Sequence, residues 1–579
     1  MSGSNEPIGS LPSSADGLSP ERRLQRVFAS SRLFRTIPPE CLKALNPHPL
    51  SLVEGQLLFR EGDRAELAYV IESGILGLFN GPLSPSTAWF RKVVRGDLVG
   101  EYGLLGDEPR SASAIALTDL SIFGFNLENL RKLLSLSEEL QSLLITTLAD
   151  AASIGRDPRR SALGTILIHN ASPDSPLTQR VLEGLPELLI SQAAGAISLG
   201  NAPLLSPSTN EEDLHLELTQ ATGAGRVRVF LTQAPELLSS RNQKLLDRLV
   251  ILTDGTADHV QIPESIKAEC ILVRLWPSEQ ERPSSKPWCS GRRVSFVLNV
   301  RAGQLSHLQR LARTVLRRQN VLVLGGGGAR GFAHVGTIAA LQERRTDDID
   351  MVMGVSIGAL VSSLAAFDLK AEEILGHLER VIIRSRPYSL TLPRQSLFSL
   401  VNSERELKAF FGSSRVEDSW LVLQCFSTNL STNQLHAWTT GDIPTAVVAS
   451  MSVPGIFPPV EDATGNLHVD GGILNNLPIA PARALTDGRI IAVSLDVEPD
   501  SANNYGPGRK RQRPSLAKTL INAMMCASHS TSQSQERLAD LVLKPEIGHI
   551  PFLEWKSYIQ SFEAGYSHAR EALSLVEES

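Results

Sequence analysis

Apolar positions between about Phe28 and Leu130 fall in short runs broken by single glycines, as in EGQLLFREGD, AYVIESGILGLF and RKVVRGDLVG. Turn residues recur about every eight to twelve positions, the spacing of a β-sandwich or barrel. The period then changes. NLENLRKLLSLSEELQSLLITTLADAA sets leucines three and four apart, which predicts an amphipathic helix leading from the strand-rich block or packed on it. From about Ser161 to Leu305 two patterns alternate: GTILIHNA, AGAISLG, VRVFLTQ, RLVILTDG and ECILVRLW read as strands, and LTQRVLEGLPELLISQA reads as a helix. Such alternation predicts an α/β layer on a parallel sheet. It holds no complete catalytic or phosphate-binding motif, so a structural or regulatory role is expected there. The last segment opens on the strand NVLVLGGGG near Asn320, and no repeat of fixed period runs through the chain.

Length and composition sharpen this picture only in places. With 579 residues the chain exceeds one ordinary core, and about two to four domains are expected. The divisions expected are a disordered leader (1–27), a strand-rich domain (28–150), an α/β domain (161–305) and a C-terminal α/β domain (318–579) with its core at 321–497. A net charge of −6 leaves no global footprint for nucleic acid. Five scattered cysteines, without CxxC spacing, argue against a disulfide framework or a zinc site and fit a reducing, cytoplasmic setting. The N-terminus lacks a basic cluster followed by an apolar run, so it does not read as a secretory signal. The uncharged stretch Met351 to Phe367 is slightly short for a membrane span, and Leu188 to Asn210 carries prolines that suit a loop. A soluble or peripheral protein is expected.

Three features of the last segment carry chemistry. Val321-Leu-Val-Leu runs into Gly325 to Gly328, then Ala329, Arg330 and Gly331, then the helix-like FAHVGTIAALQE. A strand, a glycine turn and a helix in that order present backbone N–H groups that stabilise negative charge. Gly326, Gly328 and Gly331 also satisfy the dinucleotide fingerprint GxGxxG, with Asp347, Asp348 and Asp350 downstream. That alternative leaves the next feature unexplained. Asp350-Met-Val-Met-Gly354-Val-Ser356-Ile-Gly358 is a strand, Gly-x-Ser-x-Gly and a small-residue helix, the pattern of a nucleophile elbow. The third feature is Leu467-His-Val-Asp470-Gly471-Gly472-Ile-Leu-Asn475-Asn476-Leu-Pro478, an aspartate closing a strand at a tight turn. His334 falls on the helix after the glycine loop and reads as a packing residue.

In this order, GGGGARG, GVSIG and DGG resemble the patatin-like phospholipase family, and GGGGARGFAHVG resembles bacterial relatives of neuropathy target esterase. The resemblance covers about Val321 to Val497. It implies a Ser–Asp dyad on a doubly wound α/β sheet, with Ser356 as nucleophile and Asp470 as base. Gly326, Gly327, Gly328 and Arg330 would form the oxyanion hole, and no catalytic cofactor is implied. The implied substrate is a carboxylic ester of a lipid, a phospholipid or lysophospholipid. The apolar insert from Tyr388 (YSLTLPRQSLFSL) and MSVPGIFPPV (Met451 to Val460) are candidates for an acyl groove or lid.

Gly100-Glu101-Tyr-Gly-Leu-Leu-Gly-Asp-Glu-Pro-Arg110-Ser111-Ala-Ser resembles the phosphate-binding cassette of cyclic-nucleotide-binding domains. By that resemblance Arg110 would neutralise the cyclic phosphate, Glu101 would accept from the ribose, and Gly100 and Ser111 would complete the cassette, with cAMP ahead of cGMP as a regulatory ligand. A planar guanidinium suits a phosphate. Tyr102 and Gly103 depart from the small aliphatic residues usual there, and a surface salt bridge is the plain alternative for Arg110. The basic stretch Arg509-Lys-Arg-Gln-Arg513 is a solvated loop or a contact for anionic headgroups. The rival to the hydrolase is a non-enzymatic nucleotide sensor or scaffold that keeps the fold.

Overall fold

The structure is a computed structural model that describes residues 19–30, 45–81, 91–100, 109–134, 165–193, 228–232, 242, 245–257, 268–283, 294–344, 348–384, 389–390, 396–496 and 516–577. The chain divides into two compact units, one of residues 1–171, 193–251 and 261–270, the other of 172–192, 252–260 and 271–579.

Eight strands build the N-terminal part of the first unit: β1 (His48–Leu52), β2 (Leu57–Phe59), β3 (Leu67–Ser73), β4 (Leu76–Phe79), β5 (Arg91–Val93), β6 (Leu98–Val99), β7 (Ser113–Ala116) and β8 (Leu120–Asn126). They form two four-stranded sheets of order β1-β8-β3-β6 and β2-β7-β4-β5, joined antiparallel throughout. Ile71, Leu76, Val93, Ala114 and Ile122 fill the core of this roll. The single glycines mark its turns. Gly74 has φ +89, and a Cβ there would fall inside contact distance of the Asp119 carbonyl, so no other residue fits. The helix Leu127–Leu134 follows β8 directly, where the leucine spacing places one.

The middle segment has the strands expected of it: β9 (Thr165–Asn170), β10 (Arg228–Thr232), β11 (Arg248–Asp254) and β12 (Glu269–Trp276), with the helix Pro176–Ala193 after β9. Pairing is parallel, β10 with β9 in the first unit and β12 with a further strand, β13 (Phe296–Arg301), in the second. The strand expected around AGAISLG lies outside the described residues.

In the second unit β14 (Val321–Leu324), β15 (Met351–Val355), a two-stranded ribbon of β16 (Ser389–Leu390) and β17 (Phe398–Ser399), β18 (Val422–Asn429), β19 (Gln434–Trp438), β20 (Val460–Glu461), β21 (Leu467–Asp470), β22 (Ile490–Val493) and β23 (Leu541–Leu543) follow in turn. Apart from the ribbon they form one sheet of order β20-β21-β18-β15-β14-β22-β23, with β19 also on β18. The strands β14, β15, β18, β22 and β23 are parallel, while at one side β19 and β21 pair antiparallel with β18, and β20 antiparallel with β21. Because the chain leaves β14 toward β15 and returns on its other side at β22, β14 stands at the topological switch point, beyond whose carboxyl end such sheets bind ligands. Met351 to Phe367, the stretch long enough to suggest a span, is β15 followed by the buried helix Ile357–Ala365. Among the described residues no helix is long and apolar enough to cross a membrane.

Buried polar clamps hold the feet of the two central strands. Asp350, just before β15, takes two hydrogen bonds from Arg313, at 2.8 and 2.7 Å. Burial pushes its carboxyl up, and the Arg313 guanidinium works against that rise. Before β18, Asp418 accepts from Arg274 at 2.9 Å, and Asn299 donates to the carbonyls of Glu417 and Ser419. Strands β12 and β13 thus brace the sheet opposite the end where its chemistry lies.

Candidate active site

The carboxyl ends of β14 and β15 bring the glycine loop and Ser356 together. Ser356 has φ +55 and ψ −124, a left-handed backbone that an L-residue adopts only under constraint. Its N–H donates to Ser450 Oγ at 2.9 Å, and Ser450 in turn donates to the Phe426 carbonyl at 2.6 Å. Its carbonyl accepts from Ala359 N–H at 3.0 Å, opening the helix that follows. The positive φ of this elbow therefore belongs to the serine itself. Gly358 serves close approach instead: a Cβ there would collide with the Leu324 carbonyl, so only glycine lets the helix pack onto the end of β14.

Asp470 ends β21 directly across from Ser427 on β18. One carboxylate oxygen, Oδ1, accepts from Gly472 N–H at 2.8 Å, while Oδ2 is buried without a closed hydrogen bond. Burial pushes the carboxyl up to about 6, opposed by the neighbouring Ser356 hydroxyl and by Gly472 N–H. Ser356 keeps 7% of its surface while Asp470 keeps none, so the hydroxyl is within reach of a substrate and the carboxylate is sealed behind it. A desolvated carboxylate with a vacant lone pair is a stronger base than one in water.

The glycine loop supplies donors. Gly325 N–H is taken by Val493 O and Gly326 N–H by Asn476 O, at 3.1 and 3.2 Å, and Ala329 N–H by Phe552 O at 2.8 Å. Between them, the N–H groups of Gly327 and Gly328 donate to no group among the described residues. Gly328 has φ +57, which turns the chain into the following helical turn. Arg330 is directed to the C-terminal segment, its Nε donating to Ile550 O at 2.8 Å. Burial lowers its pKa, and Asp496 offsets part of that. His334 is wholly buried with Nε2 2.7 Å from the Gly325 carbonyl, and burial pushes its pKa down to about 4. It braces the loop from behind and lies in the packed core, as its place on the helix suggests.

Two residues to which the motifs assign no role complete the site. Asn476 Nδ2 donates to Gly326 O at 3.1 Å and to Asp496 Oδ1 at 2.8 Å, so this one side chain ties the glycine loop to the ends of β21 and β22. The sequence carries it in the run after Asp470-Gly-Gly, where only proximity to that motif marks it. Ser450 carries no signal at all; its part shows only once the helix Ile443–Met451 is seen beneath the elbow.

In the first unit Gly100, Arg110 and Ser111 come together, while Glu101, Tyr102 and Gly103 lie outside the described residues, as does Arg509 to Arg513. Arg110 keeps 6% of its surface, which excludes a surface salt bridge as its role. Its Nη2 donates to Leu67 O at 2.6 Å and its guanidinium lies 4.2 Å over the Phe59 ring, beside Gly100. Gly100 has φ +84 and leaves room for the guanidinium, since a Cβ would strike Nη1. Ser111 is exposed.

Comparison with known proteins agrees with both regions. Residues 322–483 match the family described as patatin-like phospholipase, and residues 49–137 match the cyclic nucleotide-binding domain. An uncharacterized NTE family protein of Mycobacterium tuberculosis (strain ATCC 25618 / H37Rv) is 26% identical over 546 residues, 90% of each chain. Lysophospholipase nte1 of Emericella nidulans is 30% identical over 286 residues, 46% of this chain and 19% of that protein. Among solved structures, a cyclic nucleotide-binding-like protein from Brucella abortus is 29% identical, covering 19% of this chain and 97% of its own, with a TM-score of 0.17.

Proposed function

We propose, for a chain that carries a patatin-like phospholipase domain behind a cyclic nucleotide-binding domain, that it hydrolyses carboxylic esters of phospholipids or lysophospholipids through Ser356 and Asp470. The observation that carries this reading is the vacant, buried Oδ2 of Asp470 beside a serine held in a strained elbow. As Ser356 Oγ attacks the ester carbonyl carbon, its proton passes to Asp470. The tetrahedral oxyanion is met by the free N–H groups of Gly327 and Gly328, each worth on the order of 3 kcal/mol in such sites. Collapse breaks the ester bond, and the departing alcohol takes the proton back from Asp470. Water then attacks the acyl-serine with Asp470 again as base, releasing the fatty acid and restoring the hydroxyl.

A cyclic nucleotide, cAMP ahead of cGMP, is the regulatory ligand in this reading, bound near Gly100, Arg110 and Ser111. Contact with anionic membrane is the remaining part, and liposome flotation tests it. The decisive experiment is labelling of wild type, Ser356→Ala and Asp470→Asn by a fluorophosphonate, beside hydrolysis of lysophosphatidylcholine. Wild type is expected to label and cleave, and both folded variants to fail. A wild type inert to probe and lipid would overturn the hydrolase reading in favour of a nucleotide sensor.

A further inference from the structure

A second set of polar side chains runs from the buried His468 and Ser427 to the half-buried Asp462 and His436, beside Asp470 and unused by the steps above. His468 stands two residues before Asp470 on β21, so both side chains project from the same face of the strand. Ser427, paired with Asp470 in register, faces that side from β18, and His436, also paired with Ser427, faces it from β19. His468 and Ser427 have no exposed surface.

Their hydrogen bonds form one directed chain. Trp438 Nε1–H donates to Ser427 Oγ at 2.8 Å. Ser427 Oγ lies 2.9 Å from His468 Nδ1, and His468 Nε2 lies 3.1 Å from Asp462 Oδ2. Asp462 is a pure acceptor fixed by its own hairpin turn: Thr464 N–H and Oγ1–H and Asn466 N–H all reach Oδ1, at 2.8, 2.7 and 2.9 Å. Burial raises its carboxyl, but these hydrogen bonds and the one from His468 outweigh it, so it is held below the usual carboxylate range. Donor–acceptor parity then sets the roles: Nε2–H faces Asp462, Nδ1 accepts from the Ser427 hydroxyl, and Ser427 Oγ accepts from Trp438. The titratable groups facing His468 are Asp462 and His436, whose ring meets it edge-on at 4.9 Å.

The arrangement repeats an Asp–His–Ser order but is sealed, so it does not act on a substrate. Its place in the sheet indicates another task. β21 has four residues and pairs with β18 at three positions, 427 to 429 against 468 to 470. So short a ladder leaves the end that carries Asp470 weakly held by backbone alone. Two further bonds reach the Asp470 backbone, one from its N–H to Ser452 O at 2.9 Å and one from the Thr428 hydroxyl to its carbonyl at 3.1 Å. The side-chain chain crosses from the hairpin turn at Asp462, through β21, to β18 and β19.

We propose that His468 is a positioning residue for the reaction: with Ser427, Asp462 and Trp438 it staples β21 to β18 and sets the carboxylate of Asp470 against Ser356. This rests on the Ser356–Asp470 reading above. Displacement of a reacting group by about 1 Å costs on the order of a hundredfold in rate, and loss of a staple that fixes a four-residue strand acts on that scale.

The test uses the full chain with His468→Phe, Ser427→Ala and, as the conservative replacement, His468→Gln, whose amide offers one donor and one acceptor. Each folded variant is assayed for kcat and KM on lysophosphatidylcholine and for the rate of fluorophosphonate labelling. Ser427→Ala removes only a hydroxyl and guards against a failure of His468→Phe to fold. The expected result is a fall of roughly ten- to a hundredfold in kcat and in labelling rate for His468→Phe and Ser427→Ala, with KM within about twofold, and partial recovery in His468→Gln. Wild-type kcat and labelling in folded Ser427→Ala or His468→Phe, with only the melting temperature lowered, would overturn the proposal and leave the network structural. A wild type that neither labels nor cleaves, or a Ser356→Ala variant that still cleaves, would refute the dyad itself, which is a separate outcome.

Discussion

Replacing Asp470 by asparagine should abolish activity and, at neutral pH, stabilise the protein. Burial raises this carboxyl from 3.8 to about 6, which in its ionised form amounts to a destabilisation on the order of 3 kcal/mol. The folded chain holds the proton more tightly than the unfolded chain, so the cost is absent below pH 3.8, grows as pH rises toward about 6, and is constant above that. Asparagine keeps the Oδ1 that accepts from Gly472 N–H and puts an uncharged amide where Oδ2 has no partner. Leaving that amide unsatisfied costs about 1 kcal/mol, so a net gain of about 1–3 kcal/mol at pH 8 is expected. For a unit of this size that is a rise of roughly 1–4 °C in melting temperature, read by scanning calorimetry of wild type and Asp470→Asn at pH 8 and pH 4. The gain should shrink toward zero, or reverse, at pH 4. An Asp470→Asn variant no more stable than wild type at pH 8, or equally stabilised at both pH values, would refute the claim that the carboxylate is strained by burial. The same raised carboxyl predicts that kcat/KM falls with decreasing pH through about 6, because the base must be ionised to work.

Three further outcomes follow from the geometry. Ser356, at φ +55, carries backbone strain that glycine does not, so Ser356→Gly should melt above Ser356→Ala by the equivalent of about 1–2 kcal/mol, both being inactive. Asn476→Ala removes the side-chain tie from Gly326 O to Asp496 and leaves the loop only its backbone bond to residue 476, and a loss of roughly a hundredfold in kcat with little change in KM is expected in steady-state assays. Arg313→Met leaves the buried Asp350 without its two-bonded partner at the foot of β15, a destabilisation of about 3–5 kcal/mol at neutral pH that denaturant titration would detect.

Much of this was legible in the sequence, for identifiable reasons. Ser356 and Asp470 sit in motifs whose glycines are required by contact: Gly358 against the Leu324 carbonyl and Gly471 against the Phe426 carbonyl. Such constraints act over a few residues and leave a local signature. The strands β9 to β12 were readable because each is a buried apolar run between turn residues. What was not readable is long-range. Ser450 lies 94 residues from the serine whose N–H it accepts, and Asn476 lies 150 from Gly326. A serine in ASMSVPG and the second of two asparagines look like ordinary loop polarity until the sheet closes. The strand β13 is also an apolar run between turn residues, Ser290-Gly291 and Gly303, and what the sequence does not show is that Asn299 within it points to backbone carbonyls before β18.

The two strains at this site are of different kinds, and their placement explains the order of the strands. In the proposed reaction no histidine carries the proton, and an aspartate near 3.8 would be too weak a base for a serine hydroxyl, so its basicity would have to come from desolvation, and desolvation requires a position with no exposed surface. The nucleophile has the opposite need, since it must reach a substrate. One sheet meets both demands by ending β15 in a left-handed residue that leaves Ser356 with 7% of its surface, while β21, antiparallel on β18, ends its short run where Asp470 keeps none. The strand that carries the base therefore needs fixing from inside the sheet. There the Asp462–His468–Ser427–Trp438 chain lies, its His468 and Ser427 without exposed surface, on the face of β21 that also carries Asp470.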